Sequence, residues 1–494
     1  MGSARRRPRR RANADHRGRR EAERGCRDGD DQADEPGASR PVGYEADALP
    51  RFDVAGAEPG ERAVSRGSRA RGADHDRPRH AEGLEADEGG LPLTRILLAL
   101  AGAALLAVPA AGAGRVETPG LTKTQILLGA TGPLTGAESQ YQPTLSGAKA
   151  YFDYVNAHGG VNGRKIVYQI EDDQYDPAKT VPLTQKLVEQ DRVFAIFNSI
   201  GTEHALAVRD YLNEKKVPQL FVGSGAAVIG AQRAKYPWTI GLLPSFEGEG
   251  LIYGRLIAKS RPKAKIAVLY ENDEYGNELL AGLRRGLGAK AGQIVSTQAY
   301  ALLDTSVISQ VTQLKASGAD TFVIFALPKQ AIQAFVAADK LGWKPAEYVT
   351  SVSIDPAVMQ IVHLNTTPQT GTGATSTAFL HDPTNPTQKR SAGVKLYLQI
   401  MKRYLPREDP KAVAHIYGMM AAYTMVEALK QAGKNPTRAS LLRAAQHLNV
   451  TNPFLLPGLK VTTTPANYFP IGKTYLVRYL NGYWNVLGKP LTTS

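Results

Sequence analysis

The sequence predicts an α/β protein built of two doubly wound lobes. Three observations carry this reading. From Gln125 to Ala205 the chain reads strand, glycine-rich turn, helix, strand, helix, strand, turn, helix without a gap. A second series of similar size begins at Lys265. In the first series each apolar run stops in Gly, Ser or Thr just before a helix, which gathers backbone N–H groups and hydroxyls at the carboxyl edge of a parallel sheet. Such an edge suits small polar or anionic molecules.

In the first series, strands are expected near Ile126–Ala130, Lys165–Glu171, Val193–Phe197 and Gln219–Val222, with helices between them. In the second they are expected near Lys265–Tyr270, Ile294–Ala299, Thr321–Phe325 and Tyr348–Val352, separated by helical stretches such as SVISQVTQLKASG and KQAIQAFVAADKLGW. Two consecutive series imply two lobes rather than one large sheet. The segment from Asn385 to Leu448 reads as mostly helical, and TYLVRYLNGYWNVL as a hairpin turning at Asn481 and Gly482.

The N-terminal part is a different kind of polypeptide. Residues 1–114 hold 20 Arg, no Lys and 19 acidic residues, which leaves 40 basic and 27 acidic residues for 115–494. Residues 1–90 lack hydrophobic periodicity and are expected to be disordered, an artefact of a start site placed too early. Acidic residues nearly cancel the arginine tract, so no nucleic-acid partner is expected. Arg95 precedes a 13-residue uncharged run, Ile96–Val108, followed by Ala111 and Ala113 in an A-x-A arrangement. Residues 91–113 thus read as a secretory signal peptide cleaved after Ala113, too short for a membrane span. No Met lies between Met1 and Met359, so a shorter product would start at a non-AUG codon near Leu91 or Leu93. The single Cys is Cys26. The expected mature chain therefore has no disulfide, thiol nucleophile or cysteine metal site, and no cysteine for a lipid anchor. The basic excess beyond residue 115 is scattered and reads as solvated surface.

The phrases GATGPLTG, GAKAYFDYVNAHGGVNGRKI, EDDQYDPAKT, LVEQDRVFAIFNSIGT, KKVPQLFV and KIAVLYENDEYG follow one another in order. From about Thr118 onward the chain resembles the periplasmic solute-binding proteins of branched-chain amino acid ABC transporters. The resemblance implies the type I periplasmic-binding-protein fold: two Rossmann-like lobes joined by a three-segment hinge, with the ligand in the cleft between them. Carried over, lobe 1 comprises 115–241 plus 374–450, and lobe 2 comprises 242–373 plus 451–494. It also implies a periplasmic monomer without cofactor or metal, which closes on a small-molecule ligand and is recognised by an ABC transporter permease in the inner membrane. A ligand sensor of the same fold, coupled to a signalling partner, is the competing reading.

Candidate ligand-binding residues come from the strand ends. Ser199 and Thr202 flank a glycine at a helix start, where hydroxyls and amides converge on a carboxylate; ordinary helix capping is the plainer alternative for both. Gly223, Ser224 and Gly225 let a ligand lie against the backbone or simply form a tight turn. Tyr275 stands where the family presents an aromatic ring, and Tyr141 is placed to form the opposite wall. Phe325 and Leu327 end a strand facing the cleft and fit either the pocket or the core. The sequence departs from the amino-acid-binding pattern where Leu327 replaces a tyrosine and SVSID, with Ser351 and Ser353, replaces the ammonium-binding glutamate. A buried ammonium without a carboxylate is costly, so the second lobe is expected to offer an apolar wall with hydroxyl donors, suited to a ligand lacking an α-ammonium group, unless Asp355, two or more residues late, serves in the glutamate's place.

Catalytic patterns are missing from the sequence. It has no H-E-x-x-H, no G-x-S-x-G elbow and no Walker lysine. Glu171, Asp172 and Asp173 are adjacent on a strand end and point to alternate faces. A binding protein, not an enzyme, is expected.

Overall fold

The computed structural model describes residues 118–493. The arginine-rich segment, the apolar run and the expected cleavage site lie outside the described residues.

The first lobe contains β1 (Gln125–Gly132), α1 (Gln142–Ala157), β2 (Lys165–Asp172), α2 (Pro177–Gln185), β3 (Ala195–Phe197), α3 (Thr202–Glu214), β4 (Gln219–Val222), α4 (Ala227–Ala231) and β5 (Thr239–Gly241). Its sheet runs β2-β1-β3-β4-β5, all parallel, with Gln125 beside Lys165 and Gly132 beside Asp172. The short strands AIF and QLFV are wholly buried, as expected for a parallel sheet with helices on both faces.

The second lobe contains α5 (Phe246–Ser260), β6 (Ile266–Glu271), α6 (Glu274–Leu287), β7 (Ile294–Tyr300), α7 (Ile308–Ala316), β8 (Thr321–Phe325), α8 (Pro328–Lys340), β9 (Ala346–Val349), α9 (Pro356–Asn365) and β10 (Thr375–Ala378). The chain then supplies α10 (Ala392–Tyr404), α11 (Val413–Gln431) and α12 (Arg438–Ala445). The small pair β11 (Asn449–Val450) and β12 (Val461–Thr462) follows, and then β13 (Lys473–Leu480) and β14 (Tyr483–Thr492). The second sheet runs β14-β13-β10-β9-β8-β6-β7. Asn481 and Gly482, with φ of 59° and 83°, turn the β13–β14 hairpin as the Asn-Gly pair predicts. The strand expected over Tyr348–Val352 ends at Val349, and Ser351–Ser353 form a 3₁₀ turn.

Two lobe boundaries differ from expectation. β10 pairs in parallel with β9 and antiparallel to β13, so the chain leaves the second lobe after Ala378 rather than at 374. It returns near Gly472, not at 451. Before that, Phe454 packs edge-on against Tyr151 of α1 at 5.8 Å, and Tyr468 Oη donates to the Pro237 carbonyl at 3.1 Å, both in the first lobe. The strand TSTA is polar, so only its ladder partners reveal it. Among the described residues no helix is long and apolar enough to cross a membrane, and no group of His, Cys, Asp or Glu is placed to hold a metal ion.

Helices α5 and α6 meet backbone to backbone. A methyl group added at Gly250 would overlap the Leu279 carbonyl, and one at Gly282 the Glu247 carbonyl. This close approach fixes α6, which carries Tyr275 and Glu278 to the cleft. Gly250→Ala and Gly282→Ala are each expected to lower stability by about 1–3 kcal/mol through overpacking, read as a lower urea midpoint with unchanged m-value.

Candidate functional site

A cavity of about 300 Å³ lies between the carboxyl ends of the two sheets and is lined from both lobes. The first lobe contributes Tyr141 at the entry to α1, Tyr175 in the β2–α2 loop, and Ile200–His204 where β3 passes into α3. Tyr175 has a φ of 60°, so the loop turns sharply enough to put its ring 5.9 Å from Tyr141 and 4.3 Å from His204. Gly201 stands at the N-cap of α3 with a φ of 112°, and a methyl group there would overlap His204 Nδ1. No side chain caps α3. Its first-turn amides and the Thr202 hydroxyl therefore form a place for a carboxylate or carbonyl oxygen.

The second lobe contributes acids and apolar side chains. Glu271 ends β6 and accepts a hydrogen bond from Tyr300 Oη at 2.7 Å. Burial, reinforced by the nearby Asp273 carboxylate, pushes Glu271 up to about 9. Asp273 caps α6 through the Gly276 amide at 2.9 Å and is raised to about 6 by burial. Across the cleft, Glu138 is buried with no partner for either carboxylate oxygen and is raised to about 8, the Lys329 charge opposing the shift. Burial lowers His204 to about 4, and neither ring nitrogen has a hydrogen-bond partner, so the imidazole is neutral. Among the described residues lining the cavity there is no Lys or Arg.

The residues singled out from the sequence divide into two groups. Tyr141, Thr202, Gly223, Tyr275, Leu327 and Ser351 line the cavity. Ser199, Ser224, Gly225, Phe325 and Ser353 lie behind its wall. Ser199 Oγ accepts from the Thr131 amide at 3.1 Å, tying β3 to β1. Ser224 Oγ is 2.8 Å from Thr202 Oγ1 and accepts from the Ala226 amide, so it orients the threonine instead of facing the cavity. Gly225 packs on the Pro244 carbonyl. Phe325 stacks on Tyr253 in the core, and Ser353 Oγ donates to the Ala326 carbonyl at 2.6 Å.

Sequence reasoning passed over Tyr175, His204, Glu271 and Asp273. Glu271 and Asp273 were within reach of it, since they stand beside Tyr275 at the end of an expected strand. The expectation that the second lobe offers hydroxyl donors and no carboxylate is corrected. Ser351 donates through both its amide and hydroxyl to Glu249, at 2.6 and 2.7 Å, and Glu271 faces the cavity.

The lobes are joined by carboxylates that accept from backbone amides of the opposite lobe. Glu278 of α6 accepts from Ala227 and Val228 at the start of α4, at 2.7 and 3.2 Å. Glu203 of α3 accepts from Glu274 at the start of α6 at 3.1 Å. Asp355 accepts from Ala414 at the start of α11 at 2.9 Å.

Two sheets, three crossings and a cavity walled from both sides define a two-lobed solute-binding protein. The chain belongs to the periplasmic binding protein family, whose sequence profile matches residues 125–483. It is 25% identical over 202 residues to an amino acid binding protein of Pseudomonas aeruginosa, covering 40% of this chain and 52% of that one. With a Leu/Ile/Val-binding protein homolog of Brucella suis it shares 26% identity over 279 residues, covering 54% and 67%. The match spans about half the length of the Pseudomonas relative. Among solved structures, a branched-chain amino acid ABC transporter protein from Thermus thermophilus with bound valine superposes with a TM-score of 0.67 at 18% identity, covering 75% of this chain and 97% of that one. A solute-binding protein from Rhodopseudomonas palustris in complex with 3,4-dihydroxybenzoic acid gives 0.62 at 21% identity, covering 75% and 98%. At these identities the structural likeness establishes the fold. The relatives are solute-binding proteins, not enzymes.

Two outcomes follow from the geometry. Glu278→Ala should speed hydrogen exchange at the Ala227 and Val228 amides by about tenfold, the worth of one charge-assisted hydrogen bond, with the core unchanged. Glu271 and Glu138 have folded pKa values raised above the ordinary 4.5, so the ligand-free folded state holds protons that the unfolded chain has released. Their contribution to stability is full below that ordinary value and is lost as pH rises toward about 9. Thermal unfolding from pH 6 to 9 should therefore show a falling midpoint, and Glu271→Gln should flatten the fall.

Proposed function

We propose that this chain is the extracytoplasmic substrate-binding protein of an ABC importer, capturing a small solute in the interlobe cavity and delivering it to a membrane permease. The observation that carries this reading is that one cavity is walled by both lobes while carboxylates bridge the same lobes. A solute touching both walls favours the shut form by its differential contacts, and the shut form is the surface a permease can distinguish. The signal-peptide reading of residues 91–113 supports placement outside the cytoplasm.

The head of the solute meets two kinds of group. The open first turn of α3 and Thr202 suit a carboxylate or carbonyl oxygen. Glu271, Asp273 and the tyrosines suit a hydrogen-bond donor, a protonated amine included. Glu271, Asp273 and Asp355 line the cavity, which supports amino acids as ligands beside carboxylates and amides.

A thermal-shift screen of residues 114–494 against amino acids, aromatic and short-chain acids and amides tests the reading. A true ligand at about 100 times its Kd should add roughly 2.7 kcal/mol. Thr202→Ala should weaken it about tenfold, and Glu271→Gln should weaken amine-bearing ligands while sparing those without an amine. Stabilisation by no member of the screen contradicts the reading.

A further inference from the structure

Two acids meet at the lobe boundary without a counterion. Glu138, in the loop between β1 and α1, belongs to the first lobe, and Glu271, at the end of β6, to the second. Each is 2% exposed. Neither Glu138 oxygen has a hydrogen-bond partner, and the Glu271 carboxylate accepts from Tyr300 Oη of its own lobe. The charges of both act on the Tyr141 and Tyr175 hydroxyls, so the two acids gather around one pair of rings.

The charged groups around them do not relieve this. From the second lobe Asp273 adds negative charge beside Glu271, with Glu274 next to it at the start of α6, and from the first lobe Glu203 of α3 does the same. Asp172 and Asp173 stand where β2 ends. Asp172 accepts from the Leu134 and Thr135 amides of the loop that carries Glu138, at 2.9 and 3.2 Å. His204, against Tyr175, is neutral. Lys329, at the start of α8, is the cation that acts on Glu138 from across the boundary, yet both Glu138 oxygens stay unpaired.

An acid enclosed without partners prefers its neutral form, whereas the same acid in water ionises below neutral pH. We propose that Glu138 and Glu271 couple the joining of the lobes to protons: the lobes come together with proton uptake and part, returning both acids to water, with proton release. Burial raises Glu138 to about 8 and Glu271 to about 9, so the sign is fixed. The joined form is favoured in full below the ordinary 4.5, and that preference is lost as pH rises through about 8 and 9. The inference rests on the lobes moving about their crossings, as the proposed function requires, and adds a control that acts without solute.

Nitroxides at Glu214→Cys on α3 and Gln313→Cys on α7, one exposed position in each lobe, report the lobe separation in solute-free residues 114–494. The population whose separation matches this structure should fall at least about tenfold relative to the wider one between pH 6 and pH 9, since each proton released changes the ratio by up to about tenfold per pH unit. Circular dichroism at each pH checks that the chain stays folded. Glu138→Gln with Glu271→Gln, uncharged throughout, should hold the ratio at its acid value, and each single variant should make the response shallower. A parent whose distances do not change with pH overturns the inference. So does a pH response that the double variant keeps, or, if that variant does not fold, one that both single variants keep at full steepness. Either result leaves the solute reading to the thermal-shift screen at one pH.

Discussion

The structure depends on carboxylates enclosed between two lobes with few cations to meet them. Glu203, Glu271, Asp273, Asp355 and Asp382 line one cavity, with Glu138 buried nearby. An ionised carboxylate in such a place is costly unless hydrogen bonds compensate it. Three solutions coexist. Glu203, Glu278 and Asp355 accept from backbone amides across the lobe boundary, yet burial still raises Asp355 and pushes Glu278 up to about 7. Glu271 has a tyrosine hydroxyl and a strongly raised pKa. Glu138 has no hydrogen-bond partner, and its charged form is correspondingly disfavoured.

The bridges tie the two lobes together, and the raised pKa values of Glu271 and Glu138 weaken the folded state as pH rises. The close helix pair α5–α6 fixes Tyr275 in the cavity wall and Glu278 against the first lobe.

Much of the fold was legible in the sequence because parallel strands buried on both faces read as short apolar runs punctuated by Gly and Ser. Polar or very short strands gave no such signal: β5 has three residues, and β10 is recognisable only by its partners in the ladder. Reading strand ends found loops that line the cavity but not always the side chains that face it. Ser199 and Ser224 are at the edge, yet their hydroxyls serve the Thr131 and Ala226 amides. Tyr175 and the hinge-side wall depend on a positive φ and on contacts between residues more than a hundred positions apart, which local pattern does not contain.

The central claim is that solute binding and lobe closure are one event. The expected mature chain has no cysteine, so Glu214→Cys on α3 and Gln313→Cys on α7, both exposed, can carry a nitroxide pair spanning the lobes. The distance between the labels should form a broad distribution without solute and collapse to one narrow, shifted distance at saturation. Identical distributions with and without a solute that calorimetry shows to be bound would contradict the account.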